Sequence, residues 1–306
     1  MSTSLPSNHA ARIERVVLAL DGLSVGDALG ETCFRDENFE AILDDPRATA
    51  KGPWPWTDDT AMALAIYEVL GEHGRIDQDA LARRFAKRFE AQPWRGYGPG
   101  AFRLLGQILG GVEWRIAAEM IFPGGSFGNG SAMRIAPLAA YFAEDDYATV
   151  ADQARLSAEV THAHPEGIAG GIAAAVAGAY AWKHRDCRAD DAVKRGMFDA
   201  VLAHTPESEV REGIERAATL EFEMKVEQVT SQLGNGRRIL CQDTVPFCIW
   251  SAARHLDNYE IAIVNTIRVG GDIDTNCAIV GGIVALATGR ESIPKDWLAD
   301  REELVV

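Results

Sequence analysis

Cysteine is scarce and unpatterned in this chain. Cys33, Cys187, Cys241, Cys248 and Cys277 are odd in number, scattered, and without the spacing of a metal site or a redox pair, as expected of reduced thiols in a cytoplasm. Basic charge is also short: 30 Lys and Arg face 45 Asp and Glu, for a formal charge of −15 and a pI near 4.9. No block of Lys and Arg interrupts this, and Arg83-Arg84 with Lys87-Arg88, at helical spacing, reads as a solvated face. Non-specific binding to nucleic acid or to an anionic membrane is therefore not expected. Charge does not bar a small anion, which helix N-termini and backbone amides can hold locally.

Long apolar runs are missing as well. The most apolar stretch, residues 168–181, is short and rich in Ala and Gly, so no membrane span is expected. Residues 1–6 lack the basic and apolar regions of a signal peptide. Val- and Ile-rich alternation bounded by turns is rare, whereas helical period and Ala/Leu content run the length of the chain. At 47% hydrophobic and 25% charged residues, the composition is that of a globular protein. The expectation is an all-α fold: a single compact many-helix domain over residues 1–306, monomeric, with residues 1–10 as a flexible N-terminal tail.

Helices are predicted over residues 12–30, 57–70, 78–90, 101–109, 135–142, 167–182, 214–224, 243–255 and 259–267. Residues 34–55 read as a long connection, with tryptophans packed over the core. Residues 71–74 read as a break, and a further helix start is expected at Thr205-Pro206-Glu207. Gly22, Gly26 and Gly30 recur every fourth residue, so one face of the first helix is bare backbone, suited to close packing by another helix. Asp27 lies on that face and needs a partner.

Two short stretches concentrate oxygen donors. Trp56-Thr57-Asp58-Asp59-Thr60 opens one apolar helical run, and Gly270-Gly271-Asp272-Ile273-Asp274-Thr275 opens another. Taken alone, the first reads either as a helix cap with acidic residues in the first turn or as a ligand set. Its repetition behind a double glycine points to metal binding. Four carboxylates and two threonine hydroxyls suit Mg²⁺, Ca²⁺ or Mn²⁺ rather than zinc or copper. If folding joins the stretches, cations must balance their charge, and Asp27 is expected just behind the ligands.

Gly124-Gly125-Ser126-Phe127-Gly128-Asn129-Gly130-Ser131 precedes a helix without the terminal Gly-Lys-Ser/Thr of a P-loop. It reads as a structural turn or as an anion cradle. His162 and His164, one residue apart, read as neutral imidazoles making hydrogen bonds or as a metal pair.

With these stretches in order, together with Gly26-Asp27-Ala28-Leu29-Gly30, Ser131-Ala132-Met133-Arg134 and Thr161-His162, the chain resembles the ADP-ribosylglycohydrolase family along nearly its whole length. The resemblance implies an all-α fold around a binuclear Mg²⁺ or Mn²⁺ centre. It implies Thr57, Asp58, Asp59, Asp272, Asp274 and Thr275 as ligands, with Asp274 touching both ions. Ser126, Phe127, Gly128, Asn129, Gly130 and Ser131 match the loop that holds the diphosphate and proximal ribose, and His162 matches a further ADP-ribose contact.

The implied activity is hydrolysis of the bond between ADP-ribose and an acceptor, arginine of a modified protein first, with Asp58 or Asp59 as general base. Alternatives are a hydrolase of serine-linked, O-acetyl or small-molecule conjugates, a silent ADP-ribose-binding relative, or a phosphatase on the same metal pair. Two positions depart from the pattern. Ile273 stands where relatives often carry Thr, and Phe34 stands where several carry an acidic residue, with Glu31 nearby as a possible substitute.

Overall fold

Helical period is answered by seventeen α-helices and, among the described residues 5–304, by no strand beyond two isolated bridges, in this computed structural model. In order they are α1 (His9–Thr32), α2 (Asp36–Asp44), α3 (Asp58–His73), α4 (Gln78–Ala91), α5 (Pro99–Leu109) and α6 (Trp114–Ile121). Then come α7 (Gly130–Met133), α8 (Ala136–Tyr141), α9 (Tyr147–Glu159), α10 (Pro165–Lys183), α11 (Asp191–His204) and α12 (Glu209–Ala218). The last are α13 (Val226–Leu233), α14 (Cys241–Arg254), α15 (Tyr259–Arg268), α16 (Ile273–Thr288) and α17 (Lys295–Asp300). Side-chain caps start many of them: Thr57, Asp77, Asp146, Asp190, Ser208 and Asn258 each accept a hydrogen bond from a first-turn amide.

The centre of the fold is the contact of α1 with α16. A Cβ on Gly26 would lie 2.2 Å from the carbonyl oxygen of Cys277, and one on Gly22 would lie 2.5 Å from that of Gly281. Only glycine permits that approach. The Tyr259 hydroxyl locks the seam from α15 by donating to the Gly22 carbonyl at 2.6 Å. Both α16 and α10 are buried nearly end to end, which marks them as interior helices of one compact domain. No helix among the described residues is long and apolar enough to cross a membrane.

Trp54 and Trp56 are buried, as expected. The chain end returns to brace them: Trp54 N–H donates to the Asp300 carbonyl at 2.6 Å, and Glu302 N–H to that of Trp54 at 2.9 Å.

Several expectations need correction. The 34–55 connection contains α2, which buries only Ile42 and so shows little apolar period. Gly71 lies inside α3, which runs on to a left-handed stop at Gly74, φ 65°. The start expected at 205–207 falls at Ser208, and the helix ends at Ala218, so 214–224 is not one amphipathic element. Helices α6, α7, α9, α11, α13 and α17 fall outside the predicted elements. Of the expected tail, His9 and Ala10 already belong to α1, and residues 1–4 lie outside the described residues.

Candidate active site

The close approach of α1 to α16 delivers Asp27 into the gap where α3 begins. Its fully buried carboxylate is surrounded by donors from the first acidic stretch. Thr57 N–H lies 3.0 Å and Thr60 N–H 3.1 Å from Oδ2, while the Thr60 hydroxyl donates to Oδ2 at 2.5 Å and the Thr57 hydroxyl to Oδ1 at 2.8 Å. Asp27 thus pins the start of α3 from outside that helix. Thr57 both caps α3, accepting from Asp59 N–H at 3.3 Å, and touches Asp59 Oδ2 at 3.1 Å.

Opposite it, Asp272 occupies the N-cap position of α16 without capping the helix. Its Oδ2 accepts from Asn129 Nδ2 at 2.6 Å. Asp272 N–H and Asn276 Nδ2 both donate to the Asn235 carbonyl, at 3.2 and 2.8 Å, so the 234–236 turn fixes the double-glycine entry from behind.

The two stretches meet. One carboxylate oxygen each from Asp27, Asp59 and Asp274 lies within 4.8 Å of the others. Asp59 Oδ1 and Asp274 Oδ1 are buried with no hydrogen-bond partner. Burial, then the neighbouring charges, pushes Asp59 and Asp274 well above the usual carboxylate range. Asp58 is pushed up to about 7, by burial first and by Asp27 second. Asp272 is raised by burial against the opposing Asn129 hydrogen bond. Buried carboxylates this close, two of them with a partnerless oxygen, fit a divalent cation, which would remove the mutual repulsion.

Beside the cluster lies a cavity of about 440 Å³. Asp58, Asp59, Asp272, Asp274 and Thr275 form one end; Ser126, Phe127, Gly128, Asn129, Gly130 and His162 form another wall. Gly96, Gly98, Pro99, Leu104, Leu105 and Phe122 make the remainder largely apolar. The anion-cradle loop is strapped to the 239–241 segment, Asn129 N–H donating to the Ile239 carbonyl at 3.2 Å and Cys241 N–H to that of Phe127 at 3.1 Å. Gly128 N–H points to Ser126 Oγ at 3.3 Å. His162 stacks under Gly130, where a Cβ would meet Nε2 at 2.8 Å, and pairs with Thr161 Oγ1 at 2.7 Å. Burial, aided by Arg134, lowers His162 to about 3, so the ring is neutral near pH 7.

Not every expected residue reaches the cavity. Ser131 is fully buried, donates to the Gly167 carbonyl at 2.6 Å, and braces α7 against α10 instead of lining the wall. Thr57 and Asp27 sit behind the cavity surface, engaged with one another. Glu31 is half-buried, raised by burial and by Asp27, and also off the cavity wall; Phe34 is exposed. His164 does not join His162: it caps α10 through Glu166 N–H at 3.2 Å.

Other site residues went unread. Thr60 ties to Asp27, Thr244 to Asn129, and Gly96 opposes Asp58 across 3.5 Å from its would-be Cβ. Arg134 is a fully buried cation over the Phe85 ring, donating to the Ser157 carbonyl at 2.9 Å, and makes no ion pair among the described residues. Only the Gly96 and Thr60 positions carried a local cue, a glycine-rich loop and a hydroxyl one turn into the helix.

Comparison with known proteins follows the same lines. A family model described as ADP-ribosylglycohydrolase matches residues 8–305. The chain is 30% identical to the "ADP-ribosylhydrolase ARH3" of Homo sapiens over 79% of its own length and 73% of that protein's. It is 28% identical to the protein of the same name from Xenopus tropicalis, over 96% and 92%. A solved structure titled "ADP-ribosylglycohydrolase-related protein complex" shares the fold, with a TM-score of 0.66 at 23% identity, covering 95% of this chain and 93% of that one.

Proposed function

The chain belongs to the ADP-ribosylglycohydrolase family, and we propose that it hydrolyses the glycosidic bond between C1 of the terminal ribose of ADP-ribose and an acceptor, the arginine side chain of a modified protein first. The observation that carries this reading is that Asp59 and Asp274, each with a buried oxygen lacking a hydrogen-bond partner, bring carboxylates within 4.8 Å of each other at the cavity. Thr57, Asp58, Asp59, Asp272, Asp274 and Thr275 would hold two Mg²⁺ or Mn²⁺ ions. Bound there, such ions would neutralise the cluster and acidify a water at the sugar.

The chain's own residues account for the rest. Ser126 and Phe127 line the wall that receives the diphosphate, with the loop stiffened by Ile239 and Cys241. Holding that remote end orients C1 against the carboxylates, so binding energy is spent on alignment. Asp58, partly exposed to the cavity, takes the proton of the attacking water, and Asp59 orients that water. Cleavage builds oxocarbenium-like charge on the ribose, which the surrounding carboxylates favour. Neutral His162 serves as a hydrogen-bonding contact and carries no charge to the site.

The test is a substrate panel of arginine-linked, serine-linked and O-acetyl ADP-ribose, each with Mg²⁺ and with EDTA. Release of ADP-ribose from the arginine conjugate in Mg²⁺ alone is the expected result. Release only from another conjugate reassigns the acceptor, and no release from any overturns the activity.

A further inference from the structure

We propose that Thr244 and Asn129 form a relay that sets the orientation of Asp272, and through it couples occupancy of the Ser126–Asn129 loop to cation binding. The proposal rests on reading the acidic cluster as a metal centre, and it assigns work to a residue, Thr244, that never reaches the cavity.

The geometry is specific. Asn129 is 3% exposed, and its Nδ2 lies 2.6 Å from Asp272 Oδ2 and 3.1 Å from Thr244 Oγ1. A carboxylate only accepts, so the amide nitrogen faces Asp272, and its second proton goes to Thr244. Both amide protons are then used inside the protein. Among the described residues no donor is assigned to Asn129 Oδ1, and Asn129 lines the cavity. That oxygen is therefore an acceptor offered to a ligand hydroxyl.

Thr244 is fully buried in the first turn of α14 and is absent from the cavity wall. Its hydroxyl can affect the cavity only by anchoring the Asn129 amide beside Asp272, accepting from Nδ2 at 3.1 Å. Turning it would aim Oδ1 at Asp272, oxygen against oxygen, and swing that carboxylate away. Asp272 otherwise sits in a fixed frame, its N–H on the Asn235 carbonyl at 3.2 Å. With Oδ2 committed to Asn129, the other oxygen is the one left to a cation. A sugar hydroxyl on Asn129 Oδ1 holds the amide in the orientation that Asp272 requires, so ligand and cation reinforce each other, and by linkage the effect is reciprocal.

The experiment is calorimetric titration of the metal-free full chain with Mn²⁺, alone and with ADP-ribose, for the wild type, Thr244→Val and Thr244→Ser. Val keeps the volume and loses the hydroxyl; Ser keeps the hydroxyl. The relay predicts that Thr244→Val binds Mn²⁺ about tenfold more weakly, that Thr244→Ser binds as the wild type does, and that ADP-ribose tightens Mn²⁺ most in Thr244→Val, where the ligand restores an orientation that Thr244 no longer holds. Asn129→Ala gives the same weakening and keeps the test open should Val at 244 unfold the chain. Wild-type Mn²⁺ affinity in Thr244→Val, or equal weakness in Thr244→Ser, overturns the relay while leaving the metal centre standing. No Mn²⁺ uptake by the wild type overturns the metal centre and the relay together.

Discussion

Asp27 on α1 takes both the hydroxyl and the backbone N–H of Thr60 on α3, at 2.5 and 3.1 Å. The bond joins the glycine seam to the first acidic stretch, so the start of α3 is positioned by a helix 30 residues upstream in sequence. Thr60→Val removes one donor from a buried carboxylate at nearly constant volume. It is expected to destabilise the protein by about 2 kcal/mol, read by denaturant unfolding, whereas Thr60→Ser stays close to the wild type.

The α1–α16 seam makes a contrasting pair of predictions. Gly26→Ala drives a methyl to 2.2 Å from a backbone oxygen that cannot move independently of α16, and should cost about 3 kcal/mol. Gly71→Ala, inside α3 with nothing within 4 Å of the new carbon, should gain about 0.5–1 kcal/mol. Melting temperatures of the two variants would move in opposite directions.

Arg95 clamps the segment that carries Thr57. Its guanidinium stacks 3.4 Å from the Trp56 ring centroid, donates to the Trp56 carbonyl at 2.9 Å, and pairs with both oxygens of Glu302 at 2.6 Å. Arg95→Ala should lower stability by about 2 kcal/mol and lower kcat on ADP-ribose conjugates, because Thr57 and the Gly96 wall both lose their anchor. Glu302→Gln, which keeps the stack and the carbonyl bond, should retain most of both.

The carboxylate cluster makes stability depend on pH in a defined direction. Asp58 rises from 3.8 to about 7, with Asp59 and Asp274 also well above the ordinary range. An acid whose folded pKa is raised contributes stability while protonated, in full below the unfolded value, and loses it as pH rises through the folded one. Metal-free protein should therefore melt at lower temperature as pH climbs from about 5 to about 8, and excess Mg²⁺ should flatten that decline. A scan of melting temperature against pH, in EDTA and in Mg²⁺, checks both slopes; parallel slopes would contradict the prediction.

Much of this was legible beforehand because it was local. The four-residue spacing of Gly22, Gly26 and Gly30 implied a close-packed partner, and α16 is that partner. Thr57–Asp59 and Asp272–Thr275 were readable as oxygen donors at helix starts, and the structure brings Asp58, Asp59, Asp272, Asp274 and Thr275 to one cavity with Thr57 behind it. What escaped was long-range or weakly periodic. Helix α11 buries only Met197, Phe198 and Val201 in an acidic stretch, so its apolar stripe is thin. Ser131 sits in the loop motif but turns inward to Gly167. Thr244 meets Asn129 across 115 residues, a contact with no trace in the local sequence.

The two acidic stretches are proposed to form one cation site. Calorimetric titration of metal-free protein with Mn²⁺ tests it most directly, comparing the wild type with Asp59→Ala and Asp274→Ala. Saturable uptake of two ions per chain, lost or reduced in each variant although the substitutions lie on different helices, is the predicted result. Absence of uptake by the wild type, or uptake that survives either substitution unchanged, would contradict it.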